Sequence, residues 1–375
     1  MRTVASAGVV THAQPPPAGP RRRPALARQW RAVLRGAAVL AAIAGVWASA
    51  PPDEPGAALD TFLREHFRFT SAQLAAMRRG EPVAVDLPST VPREVAVGGA
   101  VHIDAPAART VEMMRDIERL ESGEGFLATR KISDPPRLED FDTLRLPAED
   151  VDDLRTCRPG KCNVKLGQGA FDLLKTIDWK APDAADQVTA LARQTALDYV
   201  LAYRKGGNGE LAVYRDTDRP QFIAQEFDQL VQRVRDLPGP VSDVAEYLVR
   251  YPAVVPAPGV EDFFYWSLAD FGLKPVVRIN HVVIYPVPGV PARYAIATKQ
   301  LYASHYFHTA LELRSVIDDP AQPGRAQYLV VLNAARSDGL TGMFGGMVKA
   351  KVRSGSRDGL KKALAAIKRR CEQPL

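Results

Sequence analysis

The stretch 301–314, LYASHYFHTALELR, decides how the second half of this chain folds. On a helix, the spacings of three and four residues between His305, His308 and Glu312 would stack them on one face, as metal ligands often are. On a strand, His305 and His308 would point to opposite faces. The centre is aromatic, Thr309 is β-branched, and a period of two separates an apolar face from a mixed polar one. We therefore predict a strand and no metal site.

This strand is one of several. The extended pattern begins near Arg293, and a single strand of that length would exceed roughly 40 Å, so it must curve or carry a bulge. From residue 258 onward, segments with a period of two alternate with Pro/Gly turns. This pattern predicts an antiparallel meander.

Two histidines interrupt the apolar faces of these strands. His305 shares a face with Phe307, and in the neighbouring VRINHVVIY segment His281 shares one with Tyr285. Both histidines are either buried and hydrogen-bonded, or they line a cavity in which a few polar groups orient a mostly apolar ligand. Lys299 and Tyr302 are further candidates for the same cavity. The predicted ligand-binding residues are therefore His305, His281, Phe307, Tyr285, Tyr302 and Lys299.

The net charge of +6 comes from the first 50 residues, which contain seven arginines and no acidic residue. Without them, 42 basic residues face 43 acidic ones, so we predict no nucleic-acid partner. The arginines precede fifteen uncharged residues, 36–50, which end in Ala48-Ser49-Ala50. This order is typical of a signal peptide cleaved near Ala50, although an uncleaved membrane anchor is an alternative. We predict an exported protein, periplasmic or secreted.

Three cysteines follow the leader. Cys157 and Cys162 flank Pro159-Gly160, a strong turn signal, and an exported protein meets an oxidising compartment. We predict a Cys157–Cys162 disulfide rather than a zinc knuckle, because no second cysteine or histidine pair lies nearby. Cys371 is expected to be a buried free thiol.

The remaining segments define the organisation. Residues 51–95 hold a linker, two short helices and a first strand, and residues from about 134 to 258 are mostly helical. An acidic run at 149–153 lacks the spacing of a calcium loop and is expected to be a helix start. The chain closes with a helix whose apolar stripe comprises Phe344, Met347, Val348, Val352, Leu360, Leu364, Ile367 and Cys371.

The order of these elements resembles the START-like, or helix-grip (Bet v 1-like), superfamily. The phrase HIDAPAARTVEMMRDIERLES, 102–122, looks like the opening strand and helix of that family, and NAARSDGLTGMFGG, 333–346, leads into a C-terminal helix. The resemblance covers about 96–132 and 258–372. It implies an α+β fold in which a curved antiparallel sheet grips the C-terminal helix around a cavity for apolar molecules. Residues 96–375 would then form one domain, interrupted by a large helical insertion at about 134–258.

Three functions fit these observations. The first is an exported protein that binds or transfers an apolar small molecule or lipid, without a cofactor. The second is a cavity enzyme, such as a cyclase or hydrolase, with His305 or His281 as general base. The third is a non-catalytic envelope protein with a filled core, which contacts a protein partner through the helical insertion. We prefer the first.

Overall fold

The computed structural model describes residues 56–373, except 124, 236, 238–239, 271, 291–292 and 342–344. The predicted signal peptide lies outside the described residues, and so does Phe344 of the predicted apolar stripe. All described residues belong to one compact unit, Asp53–Leu375.

The described strands are β1 Val83–Leu87, β2 Glu94–Ile103, β3 Phe126–Ile132, β4 Val213–Tyr214, β5 Gln221–Phe222, β6 Glu261–Ala269, β7 Val276–Pro286, β8 Tyr294–Ala303, β9 Phe307–Asp318 and β10 Gln327–Ser337. The described α-helices are α1 Ala57–Phe67, α2 Ser71–Arg78, α3 Ala107–Arg115, α4 Ile117–Leu120, α5 Ala148–Thr156, α6 Gln168–Leu174, α7 Ala184–Gly206, α8 Ile223–Arg235, α9 Pro240–Arg250 and α10 Gly345–Glu372.

Eight strands form one antiparallel sheet in the order β1-β2-β10-β9-β8-β7-β6-β3, and β4 pairs with β5. The strands from β6 to β10 pair each with the next, which is the predicted meander. The predicted α+β class, with a large antiparallel sheet and a long C-terminal helix, is therefore confirmed.

One face of the sheet, here the α10 face, packs against α3, α4 and α10. Its core joins Val97 and Val101 of β2 to Leu360 and Leu364 of α10. Gly99 lies where these elements come closest, because a Cβ there would be 2.9 Å from Leu364 Cδ1 and 2.7 Å from the carbonyl oxygen of Val83. A larger residue at this position would push α10 away from the sheet.

The opposite face is also covered. The connection between β3 and β6, here the middle segment (residues 133–260), contributes α7, α8 and α9 to this layer, and α1 and α2 complete it. A buried ion network anchors α8: Arg336 of β10 donates to Glu226 of α8 at 2.9 Å and to Glu94 of β2 at 3.2 Å. Helices therefore pack on both faces of the sheet.

The segment 301–314 is extended, as predicted, but it is not one strand. β8 ends at Ala303, a turn follows, and β9 begins at Phe307. Tyr306 takes the left-handed backbone conformation, with φ 58°. The backbone N–H of Lys165, from the middle segment, donates to the carbonyl of Ser304 at 2.8 Å and stabilises the turn. The prediction of a single long strand is therefore wrong, because it did not include this tertiary contact.

The predicted disulfide joins Cys157 to Cys162. Cys371 is a buried free thiol on α10, as predicted, and burial raises its pKa. Both cysteine predictions are confirmed.

Candidate ligand-binding site

The six residues predicted to bind a ligand do not face α10. His281, Lys299 and Tyr302 contact the middle segment on the opposite face of the sheet. Half-buried Tyr285 packs against the same core, His305 lies in the β8–β9 turn, and half-buried Phe307 starts β9. The predicted alternation holds for His281 and Lys299 but fails at Tyr302, which packs in the same core as Leu301 because a bulge shifts the β7–β8 register there. The apolar face that carries these residues is covered by the middle segment rather than by α10.

Two of the six are brought together. His281 and Lys299 are direct partners in the β7–β8 register. The Lys299 ammonium is fully buried, donates to Tyr203 Oη at 3.1 Å and to Asn208 Oδ1, and lies 3.9 Å from the ring centre of Phe227. No carboxylate among the described residues forms an ion pair with it. Burial therefore lowers the pKa of Lys299 well below its usual range, and the charge of Asp228 opposes this only in part.

A polar chain leads from this lysine to the surface. Tyr203 Oη lies 3.4 Å from His281 Nδ1, and His281 Nε2 lies 3.5 Å from Asp262 Oδ2, whose side chain is partly exposed. Burial lowers the pKa of His281, although Asp262 opposes the effect. This cluster is enclosed by rings of the middle segment and β6, including Tyr251 and Phe264. The hydrogen bonds and ring contacts of this cluster can stabilise the packing of the middle segment on the sheet.

The three residues of the rejected metal triad have separate partners. His305 lies 2.8 Å from both the Asp150 carboxylate and the Asn163 carbonyl. The Asn163 carbonyl can only accept a hydrogen bond, so Nδ1 of His305 is the donor in that contact. His308 contacts Asp338 at 2.5 Å, and Glu312 pairs with Arg314. No group of three metal-ligating side chains occurs in the part of the chain that the structure describes.

The α10 face carries polar residues in the middle of the sheet. Asn280 of β7 pairs directly with Gln300 of β8, and Thr298 of β8, Glu312 of β9 and Asn333 of β10 follow across the next three strands. These five residues are here called the floor. Asn280 and Gln300 are 2% and 5% exposed, yet the amide nitrogen of each has no hydrogen-bond partner among the described residues. Unpaired buried amides are unfavourable, so native structures seldom contain them without a further partner.

Solvent reaches the floor from the side of α10. The Glu312 side chain is 23% exposed, and Thr298 and Asn333 are half-buried. Each of these residues has a paired strand on both sides, and the opposite face is packed by the middle segment. The exposure therefore shows that helices leave this part of the α10 face partly open, because α10 itself packs on β1 and β2. The open space above the floor and beside the first half of α10 is here called the hollow.

Helix α10 explains why the hollow stays open. Leu360, Leu364, Ile367 and Cys371, all in its second half, are buried, but Met347, Val348 and Val352 are exposed. The predicted stripe of eight residues is therefore wrong for the first half of the helix. Arg353 precedes Leu360 by seven residues and thus shares its sheet-facing side. Arg353 therefore occupies a sheet-facing position at which an apolar side chain would have extended the core between α10 and the sheet.

The floor residues were not among the predicted site residues. The sequence analysis assigned Glu312 and Arg314 to a mixed polar face, which is usually the solvent side of a strand. One sequence feature could have predicted the floor. Uncharged polar residues occur within otherwise apolar strands at Asn280, Thr298, Gln300 and Asn333. Single-strand alternation cannot reveal it, because the pairing of strands has to be known first.

Another concavity lies beside the disulfide. It has a volume of about 200 Å³ and is lined by Leu154, Arg155, Cys157, Arg158, Pro159, Phe171, Leu174, Lys175 and Trp179. Arg155 is held there by a hydrogen bond to the carbonyl of Trp179 at 3.0 Å. These groups have no unpaired buried polar atom among them, in contrast to the floor.

No family model matches this chain, and no curated protein matches it. None of the described helices is long and apolar enough to cross a bilayer.

Proposed function

We propose that this protein binds, and carries, a small amphipathic molecule in the hollow beside the first half of α10. The observation that carries the proposal is the pair of buried, unpartnered amides of Asn280 and Gln300 on a solvent-reached floor. A ligand that supplies the missing hydrogen bonds removes their cost. Val97 and Val282 are buried next to Asn333 and Thr298, so the surroundings of the floor are apolar, as the rest of such a molecule requires.

We further propose that the fold is of the START-like, helix-grip kind. Several features support this assignment: an opening strand and helix (β2, α3), five sequential antiparallel strands, and a last helix on the same face as the first. The middle segment would then be an insertion that covers the outer face of the sheet. The location of the hollow agrees with the cavity that this resemblance implies, although the residues predicted to line it do not.

The two alternative functions receive less support. A general base at His305 or His281 has no access to the hollow, because both residues contact the middle segment. A filled core is at odds with the exposure of Glu312 in a central strand. Export through a signal peptide, and a protein partner for the middle segment, stay predictions; the Cys157–Cys162 disulfide is in keeping with export.

Filling the hollow tests the proposal. Ala335 of β10 is half-buried on the α10 face, two residues after Asn333. In an open hollow, Ala335→Trp leaves the free energy of unfolding within about 0.5 kcal/mol of the parent and weakens binding at least about tenfold. Binding would be measured by fluorescence titration with N-phenyl-1-naphthylamine, a neutral apolar probe, and stability by urea unfolding.

The control is Val255→Trp, at a position that is 89% exposed in the middle segment, which should alter neither quantity. In a filled core, Ala335→Trp would instead destabilise the protein by roughly 1–3 kcal/mol through overpacking. That result, or a parent protein that binds no probe, would contradict the proposed function.

A further inference from the structure

In and beside the floor, three buried side-chain atoms have no hydrogen-bond partner among the described residues, and all three are donors. They are Asn280 Nδ2, Gln300 Nε2 and Nε of the neighbouring Arg314. Asn280 and Gln300 face each other across β7 and β8, which brings their Cβ atoms within about 5 Å. Two side-chain amides at that separation can donate to the two oxygens of one carboxylate. The ligand must therefore present acceptors at this point.

The charges near the floor leave a positive surplus. Glu312 is paired with Arg314 at 2.5 Å, and Glu121 with Arg278 at 2.9 Å, so the carboxylates on this side of the sheet are neutralised. Arg353 of α10 has no acidic partner among the described residues, and its buried Nε is unpaired. Arg353 is half-buried, so an anionic ligand nearby would gain a favourable interaction that a neutral ligand would not.

Arg353 lies on the same face of the sheet as the floor. Its helix neighbours Leu360 and Leu364 sit on Gly99 of β2, and Lys349, one turn before Arg353, donates to the carbonyls of Val91 and Pro92 just before β2. Arg353 is thus above the first half of β2, next to the end of β10 that carries Asn333. The positive charge thus lies at the β2–β10 side of the hollow, and the amide donors lie at its β7–β8 side, at least two strands away in the sheet.

We propose that the ligand is a carboxylic acid with an apolar body, whose carboxylate accepts hydrogen bonds from Asn280 and Gln300 in the field of Arg353. This inference rests on the proposed function and adds the chemical class of the ligand. The amides fix the position of the carboxylate, and the arginine supplies the charge complement without a direct ion pair to the floor.

The test compares cis-parinaric acid with its methyl ester, which differ only in the acid group and report binding by fluorescence. The parent protein should bind the acid at least about tenfold more tightly than the ester, because hydrogen bonds to an ionised acceptor are about twice as strong as neutral ones. In Asn280→Leu/Gln300→Leu, the preference should fall to within about twofold while ester binding persists. Arg353→Gln should weaken the acid alone and flatten the salt dependence of its binding.

The control variant is Gln194→Leu, an exposed amide on α7, which should keep the full preference. Equal binding of acid and ester by the parent protein would overturn the carboxylate assignment and leave the hollow as a binding site. Failure of both probes to bind would overturn the proposed function itself. Retained ester binding in the double variant shows that it is folded, so the two failures are distinguishable.

Discussion

Lys299 occupies a position where a charge is costly. Its ammonium has no exposure and is surrounded by Phe227, Tyr203 and Asn208. The sequence analysis identified this residue because it interrupts an apolar face, but it could not say what covers that face. The covering rings come from α7 and α8, about 70 to 100 residues earlier in the chain. The alternation of apolar and polar residues within one strand does not show which distant segment packs on it.

We expect Lys299 to make stability depend on pH. Burial lowers its pKa in the folded protein, whereas the same lysine in the unfolded chain has the usual pKa of about 10.4. Between the two values the unfolded state binds more protons, so stability rises as the pH rises. Lys299→Met removes this contribution, and the urea midpoint should increase less from pH 7 to pH 9 than in the parent protein.

Urea unfolding at several pH values checks this expectation. The comparison with the parent protein cancels the tyrosines, whose raised pKa values act in the opposite direction. Lys205→Met, on the exposed side of α7, serves as the control and should keep the parental slope. Identical slopes for Lys299→Met and the parent would mean that Lys299 is not buried as a neutral amine.

Among the secondary-structure elements, α10 divides into two unlike halves. Its second half is part of the core, and its first half lies beside the hollow. The sequence predicted the helix and its apolar stripe, but a stripe shows only which residues could pack. In the first half the sheet-facing positions carry Lys349 and Arg353, while Met347, Val348 and Val352 point elsewhere.

The two halves should respond differently to truncation. Leu364→Ala removes a fully buried side chain and should cost about 2–5 kcal/mol of unfolding free energy. Val352→Ala, at a position that is 36% exposed, should cost less than about 0.5 kcal/mol. Thermal or urea unfolding of both variants measures the difference. A comparable loss in both would mean that the first half of α10 closes on the sheet and that the hollow is filled.

The β8–β9 hairpin marks the limit of local reasoning about strands. The period of two in 301–314 correctly excluded a helix, and with it the stacked arrangement of His305, His308 and Glu312. The turn at 304–306 contains neither glycine nor proline, so no local signal interrupts the pattern. What divides the strand is the contact with Lys165, together with the His305–Asp150 pair.

On the scale of the whole molecule, the sheet is packed by helices on both faces, but to different extents. Helices cover the α10 face in part and the opposite face extensively. The class, the element order, the disulfide and the C-terminal helix follow from period, turn chemistry and spacing. The site does not, because a polar stripe on a strand normally indicates solvent, whereas here it forms the floor of the hollow. Which residues of a strand are buried depends on how the middle segment and α10 pack on the two faces of the sheet.

The most direct test of the central claim, that this protein carries a small acid in the hollow, is native mass spectrometry of the full chain expressed and purified from its own envelope. We predict a mass above that of the polypeptide measured under denaturing conditions, an excess that organic extraction removes as a carboxylic acid. The Ala335→Trp variant, purified in the same way, should lack the excess. A parent protein whose native mass equals that of the chain alone would contradict the account.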